Sequence, residues 1–202
     1  MKARKTGLLR SIAFTLGLTN VRLPAPTPFS NIGHGHGHLT VISPIDGAQF
    51  NIYGGSYYDA PPMASVCAMA SVRLEQSIKR NEGDPLRIDF PIRDFSVPTM
   101  SDLLVNLNKA LELGSKVGNI YVGCMGGYGR TGTFIAALLM VCNDIKADEA
   151  IELARVHIHG HCVETESQVE LLHTLESWLM KSEGFEELLE ELAEFGEEYI
   201  NG

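Results

Sequence analysis

Hydrophobic and polar residues follow two different periods along this chain, and each change of period marks a new element. Apolar residues alternate with polar residues or proline over residues 86–92, which predicts a strand. Pro91 within that stretch indicates a sheet edge or the end of the strand, because proline cannot donate to a sheet ladder. Shorter strands are predicted at residues 39–43, 50–53 and 120–122.

Apolar residues three or four positions apart predict helices in the rest of the chain. Thr99, with Asp102 three residues later, has the pattern of a capping box and starts a helix that Gly114 or Gly118 would end. Other predicted helices run from Pro61 to about residue 80, over the almost entirely apolar residues 134–142, over about 148–156 and 165–180, and along the acidic final segment.

Strands early, helices late and a strand-loop-helix crossover between them predict an α/β sandwich. Residues 1–38 contain three spaced prolines and an alternating His-Gly stretch, and are interpreted as an irregular arm. Residues 39–182 form the predicted central domain, and residues 183–202 a predicted acidic, amphipathic C-terminal helix.

Composition is that of a soluble globular protein, with 45% hydrophobic residues in a chain of 202. Apolar runs stay below the roughly 18 to 20 residues that a membrane-spanning helix needs, so we expect no membrane partner and a cytoplasmic protein. The formal net charge of -9 argues against nucleic acid as a partner.

Four cysteines without a C-x-x-C pair predict neither a disulfide framework nor a zinc site. Cys67 and Cys142 lie in apolar runs and are interpreted as buried hydrophobic residues. Cys124 and Cys162 therefore remain as candidates for chemistry, and Cys162 is interpreted as structural.

The segment from Cys124 to Arg130 lies between a predicted strand and a predicted buried helix, and three of its residues are glycine. Such a loop can turn its backbone N–H groups inward above a helix N-terminus, which makes an anion-binding site. The same groups favour a thiolate at Cys124, and the planar guanidinium of Arg130 can bind two phosphate oxygens at once. The loop therefore supplies both a nucleophile and a phosphate clamp.

The sequence from Cys124 through Arg130-Thr131-Gly132 resembles the nucleophile loop of the protein tyrosine phosphatase superfamily, especially its compact dual-specificity branch. Asp94, thirty residues upstream, is similar to the family's general acid on a movable loop, and the segment ending at Gln168 is similar to the one that positions the hydrolytic water. The resemblance covers residues 86 to about 180 and implies a mostly parallel twisted sheet in a three-layer sandwich.

The resemblance implies a mechanism without metal or organic cofactor. Cys124 attacks phosphorus, Asp94 acts first as acid and then as base, and Gln168 positions water. Thr131 is implied to donate a hydrogen bond to the departing thiolate. The implied phosphate-binding residues are Met125, Gly126, Gly127, Tyr128, Gly129 and Arg130.

The substrate expected from the loop is a phosphorylated protein or peptide, with phosphotyrosine first, because residues 125–129 contain no lysine or arginine for a polyanion. Tyr57 and Tyr58 are candidates for the pocket wall or for buried anchors. The family usually has histidine before the nucleophile, where this chain has Gly123. A catalytically weak relative that only binds phosphate or phosphopeptide is therefore the alternative.

Other interpretations of the motifs are weaker. Gly127 to Gly132 also matches a dinucleotide fingerprint, but a helix is predicted where the second strand should follow, and a rhodanese-like enzyme would not need Asp94. Asp89, a second candidate acid, falls within the alternating strand. Two sets of alternating histidines have the pattern of metal ligands, but it is weak in both and no metal site is predicted; the sets are His34, His36 and His38, and His157, His159 and His161 with Cys162 in an expected surface turn.

Overall fold

The structure is a computed structural model that describes residues 38–59, 65–68, 87–182, 185 and 187–190. Its strands are β1 (His38–Ile42), β2 (Gln49–Ser56), β3 (Ser65–Ala68), β4 (Arg87–Asp89) and β5 (Asn119–Cys124). Its helices are α1 (Met100–Val117), α2 (Gly129–Asn143), α3 (Ala147–His157) and α4 (Glu166–Lys181), with a short 3-10 helix at Tyr57–Asp59. Residues 185 and 187–190 are also helical.

The described strands form one sheet in the order β1-β2-β5-β3-β4. β1 pairs antiparallel with β2, and the remaining three pairings are parallel. α1 connects the edge strand β4 to the central strand β5, which is the crossover that a parallel arrangement requires. The predicted α/β fold, with a mostly parallel sheet flanked by helices, is confirmed, and β4 lies at an edge as Pro91 predicts.

α1 has the ends that its sequence predicts. The Thr99 side chain accepts a hydrogen bond from the Asp102 amide at 3.1 Å, and Gly118 ends the helix in the left-handed region at φ 79°. Gly114, the other candidate for the end, lies inside the helix and packs against the ring of Phe50 on β2. The absence of a side chain at Gly114 therefore lets α1 approach the sheet.

α2 is buried from Gly129 to Cys142, on every face of the helix. It packs against β5, β2 and β1 of the sheet and against α1, α3 and α4. A helix surrounded in this way needs apolar residues all round, which explains why residues 134–142 lack an amphipathic stripe. Because α2 follows β5 directly, the loop between them lies at the centre of the fold.

The helix predicted from Pro61 to about residue 80 is wrong at Ser65–Ala68, which form β3. β3 pairs in parallel with both β4 and β5, and these pairings with distant segments override the local helical pattern. The remainder of that predicted helix lies outside the described residues. The predicted arm also lies outside them, except His38, which begins β1 and stacks on Tyr53 with ring centroids 5.4 Å apart.

The C-terminal segment contributes to the core where it is described. Phe185 and Leu188 are buried with exposed fractions of 5% and 4%. In the described part of the chain, no helix has the length and apolar character needed to cross a bilayer.

Candidate active site

Cys124 lies at the carboxyl end of the central strand β5, and its side chain is buried. The Gly127 amide donates a hydrogen bond to the Cys124 sulfur at 3.3 Å. Gly127 has φ +82°, and a Cβ there would collide with the backbone of Gly55 and Ser56 at the end of β2. Only glycine fits this position. Glycine at residue 127 therefore allows the turn that directs its own amide toward the Cys124 sulfur.

The loop from Cys124 to Arg130, here called the phosphate loop, is also held from the end of β2. The Ser56 hydroxyl donates to the Met125 carbonyl at 2.9 Å, and the Tyr121 hydroxyl donates to the Ser56 carbonyl at 2.7 Å. Burial, together with the negative charges of Asp59 and Cys124, raises the pKa of Tyr121. Tyr121 therefore keeps its proton and remains a hydrogen-bond donor near the site.

Arg130 connects the phosphate loop to the segment that carries Asp94. Its side chain is buried and donates to the Ile92 carbonyl at 2.9 Å, while a second guanidinium nitrogen lies 2.9 Å from an Asp94 carboxylate oxygen. Asp94 is 59% exposed at its side chain, and the next residue, Phe95, has a positive φ of 56°. The fold thus brings the predicted acid, Asp94, into direct contact with the predicted phosphate clamp, Arg130, although 36 positions separate them in the sequence.

Thr131 and Gln168 each carry a buried polar atom without a partner: the Thr131 hydroxyl oxygen and the Gln168 amide nitrogen. The Gln168 oxygen accepts hydrogen bonds from the Glu164 and Thr165 amides at 2.8 and 3.3 Å, which fixes the orientation of the side-chain amide. Its nitrogen lies against Gly129 of the phosphate loop. Unpaired buried donors are costly, so both atoms are suited to bind a group that enters the site.

Glu164 is a residue of this site that the sequence reasoning missed. One of its carboxylate oxygens accepts a hydrogen bond from the Gly129 amide at 2.8 Å. Gly129 was predicted to offer that amide to phosphate, and in the structure the amide is bound to Glu164 instead. The sequence signal was present, because Glu164 directly precedes the Thr165 to Gln168 capping box of α4.

The ring of Tyr128 in the phosphate loop lies at the surface beside two histidine rings. The Tyr128 ring is 4.2 Å from that of His159 and 6.2 Å from that of His161, measured between centroids. Cys162 by contrast is fully buried, so these histidines and Cys162 do not face one side as a ligand set. Within the residues that the structure describes, no group of three or more histidine, cysteine or acidic side chains could hold a metal ion.

The other candidates lie away from this centre or are less reactive. Asp89 lies exposed on the edge strand β4. Burial raises the pKa of Cys142 to about 12 and that of Cys162 to about 11, so both remain thiols near neutral pH. Tyr58 is 72% exposed rather than a buried anchor.

Comparisons with known proteins match the chain to phosphatases. A family model described as "Polymorphic toxin system, DSP-PTPase phosphatase" matches residues 67–144. An uncharacterized protein of Methanocaldococcus jannaschii is 36% identical over 103 residues, which are 50% of this chain and 62% of that protein. The alignment therefore spans less than two thirds of this relative's length.

Solved structures share the fold. The crystal structure of Tk-PTP in its active form is 25% identical with a TM-score of 0.54, covering 67% of this chain and 95% of Tk-PTP. The structure of PTPMT1 in complex with PI(5)P has a TM-score of 0.55 at 19% identity, covering 64% of this chain and 92% of PTPMT1. At the latter identity the likeness concerns the fold alone.

Proposed function

We propose that this chain, a member of the protein tyrosine phosphatase superfamily with the character of its dual-specificity branch, is a cysteine-dependent phosphomonoester hydrolase. One observation carries the proposal. The guanidinium of Arg130, which follows Cys124 on the same loop, is 2.9 Å from the carboxylate of Asp94. This contact supports a common site in which the loop of the nucleophile supplies a cationic clamp and a neighbouring segment supplies an acid–base carboxylate.

In the first step the Cys124 thiolate attacks phosphorus in line with the leaving oxygen. The sulfur–phosphorus bond forms as the phosphorus–oxygen bond breaks, and Asp94 transfers its proton to the leaving oxygen. Arg130 has five N–H donors, and two guanidinium nitrogens already bind Ile92 and Asp94, so others remain for the phosphoryl oxygens. These donors and the loop amides neutralise the charge, so no metal or cofactor takes part.

In the second step water hydrolyses the cysteinyl-phosphate. The unpaired Gln168 nitrogen beside Gly129 is a donor suited to hold this water, and Asp94 accepts its proton. The sulfur–phosphorus bond breaks and Cys124 leaves as a thiolate. The unpaired, fully buried Thr131 hydroxyl is suited to donate a hydrogen bond to that sulfur.

The proposed substrate is a phosphorylated protein, with phosphotyrosine first. Met125, Tyr128 and Phe95 are exposed large apolar residues on the phosphate loop and beside Asp94, and they suit an aromatic leaving group. Residues 125–129 have no lysine or arginine to bind further phosphates of a lipid headgroup. The proposed location is the cytoplasm, where phosphoproteins are found.

A binding protein that hydrolyses poorly is the second candidate, and Gly123 favours it. Glycine at this position lacks the side chain that could brace the loop beside Cys124. Such a protein would retain the anion site and bind a phosphopeptide without releasing phosphate.

The test is hydrolysis of p-nitrophenyl phosphate by the full chain and by Cys124→Ser, Asp94→Ala and Asp89→Asn. We expect Cys124→Ser to abolish turnover and Asp94→Ala to lower kcat by about 100-fold or more, because a positioned proton donor contributes about that much. Asp89→Asn is the matched control and should retain wild-type rates.

A wild type as inactive as Cys124→Ser would contradict the enzyme proposal. Binding of a phosphotyrosine peptide by that inactive chain would favour the binding protein. Phosphate release from phosphotyrosine peptide, phosphoserine peptide and PI(5)P vesicles then tests the substrate class. Faster release from PI(5)P than from either peptide would contradict the proposed phosphoprotein substrate.

A further inference from the structure

The connection between α3 and α4, residues 158–165, contacts the phosphate loop and the first turn of α2 at several points. The Glu164 carboxylate accepts a hydrogen bond from the Gly129 amide at 2.8 Å, and the His159 ring packs tilted against that of Tyr128. The missing side chain of Gly132 leaves the space that Cys162 occupies. The two segments therefore pack as one unit, although about thirty residues separate them in the sequence.

The backbone before Glu164 adopts an unfavourable conformation. Val163 has φ +60°, which a β-branched residue rarely adopts. Arg155 on α3 holds this turn, because its guanidinium donates to the Cys162 carbonyl at 3.1 Å and to the Val163 carbonyl at 3.3 Å. Strain of this kind persists only when the surroundings enforce it, and here it directs Glu164 toward the loop.

The N-terminus of α2 otherwise lacks a side-chain cap. Tyr128 occupies the N-cap position and makes no capping hydrogen bond. A carboxylate at a helix N-terminus is favourable both as an acceptor for an amide and as a negative charge beside the helix dipole. Glu164 therefore acts as a cap supplied from a distant segment of the chain.

We propose that Glu164 is a positioning residue of the phosphate loop, and that its hydrogen bond to Gly129 holds the loop against the N-terminus of α2. The inference rests on the proposed function, because it assigns Glu164 a part in shaping the same loop. Its negative charge opposes a bound phosphate, whereas its hydrogen bond keeps the loop in the shape that binds phosphate. Of these two effects, the hydrogen bond has the larger influence on catalysis.

Two variants separate the hydrogen bond from the charge. Glu164→Ala removes both, and we expect it to lower kcat for p-nitrophenyl phosphate by about tenfold or more, the range for loss of a hydrogen bond to a charged group. Glu164→Gln retains an acceptor oxygen and should restore kcat to within about threefold of wild type, since a neutral acceptor keeps roughly half of such a bond and no longer carries the charge that opposes phosphate. Glu166→Ala, an exposed neighbour in the first turn of α4, is the matched control and should not change kcat.

A second readout does not depend on turnover. In NMR spectra of the full chain, the Gly129 amide proton should exchange slowly with solvent, because it is hydrogen-bonded to Glu164. Glu164→Ala should accelerate this exchange, whereas Glu164→Gln and Glu166→Ala should preserve the protection. If Glu164→Ala fails to fold, protection of the Gly129 amide in the wild type and in Glu164→Gln still tests the contact.

Two results would overturn the proposal. One is a kcat for folded Glu164→Ala within twofold of wild type. The other is tighter binding of inorganic phosphate by both variants with undiminished kcat, which would make Glu164 a competitor of phosphate rather than a brace. Absence of hydrolysis by the wild type would instead contradict the proposed function, and solvent exchange of the Gly129 amide would still decide whether Glu164 holds the loop.

Discussion

Cys124, Cys142 and Cys162 are all buried, yet their surroundings differ in chemistry. The Cys124 sulfur accepts a hydrogen bond from the Gly127 amide, just before α2 begins. Cys142 lies in the last turn of α2, where burial raises the pKa of its thiol. Cys162 packs beneath Gly132, and burial is also the main cause of its raised pKa. The same residue type is therefore suited to different roles by its immediate neighbours.

This contrast predicts selective alkylation by iodoacetamide at pH 8. A thiol with a pKa of about 11, as at Cys162, is ionised at pH 8 in only about one molecule in a thousand, and Cys142 still less, so neither should react. Cys124 should be modified first, and inorganic phosphate should slow its modification. Peptide mass spectrometry identifies the modified cysteine, and modification of Cys142 or Cys162 before Cys124 would contradict the prediction.

At the scale of elements, local sequence determines where α1 begins and ends. Its N-cap and its C-cap each depend on contacts between residues no more than four positions apart, namely Thr99 with Asp102 and Gly118 with Gly114. β3 depends instead on strands that are distant in the sequence. The boundaries of α1 were therefore predictable, whereas β3 was not.

The α1 cap predicts a small and specific loss of stability. Thr99→Ala should destabilise the protein by about 1 kcal/mol, because the Asp102 amide loses its acceptor. In a chain of this size that corresponds to a fall in Tm of about 2–4 °C. Thr99→Ser, which retains the hydroxyl, is the control and should unfold close to the wild-type Tm in calorimetry. Equal losses in both variants would show that the hydroxyl is not responsible.

At the scale of the whole molecule, the core extends into the acidic C-terminal segment. Phe185 and Leu188 belong to the same buried cluster as α2 and the central strand. The acidic residues of this segment do not prevent it from packing, because exposed Glu190 lies on the opposite side from these apolar residues.

Removal of one of these side chains should destabilise the whole fold. Phe185→Ala is expected to lower the free energy of unfolding by about 3–5 kcal/mol, the usual cost of deleting a buried phenylalanine ring. Glu190→Ala, at an exposed position of the same segment, should change it by less than about 0.5 kcal/mol. Urea titration measures both, and a similar small change in the two variants would mean that Phe185 lies outside the cooperative core.

The resemblance to the protein tyrosine phosphatase superfamily, drawn from the loop around Cys124 and Arg130, is confirmed by the family model and the shared fold. The sequence could reveal it because the nucleophile, the glycines and the clamp lie within one short loop. The roles of Asp94 and Gln168 remain predictions, although the structure brings both residues to that loop.

What the sequence determined by itself is local: the strand-loop-helix around Cys124, the caps of α1, and the apolar character of α2. These features depend on neighbours along the chain, so period and composition predict them. The tertiary structure alone decided that Ser65–Ala68 join the sheet, that Arg130 forms an ion pair with Asp94, and that Glu164 accepts a hydrogen bond from the Gly129 amide. Each of these depends on which distant segments pack together, and packing free energy outweighs local preference there.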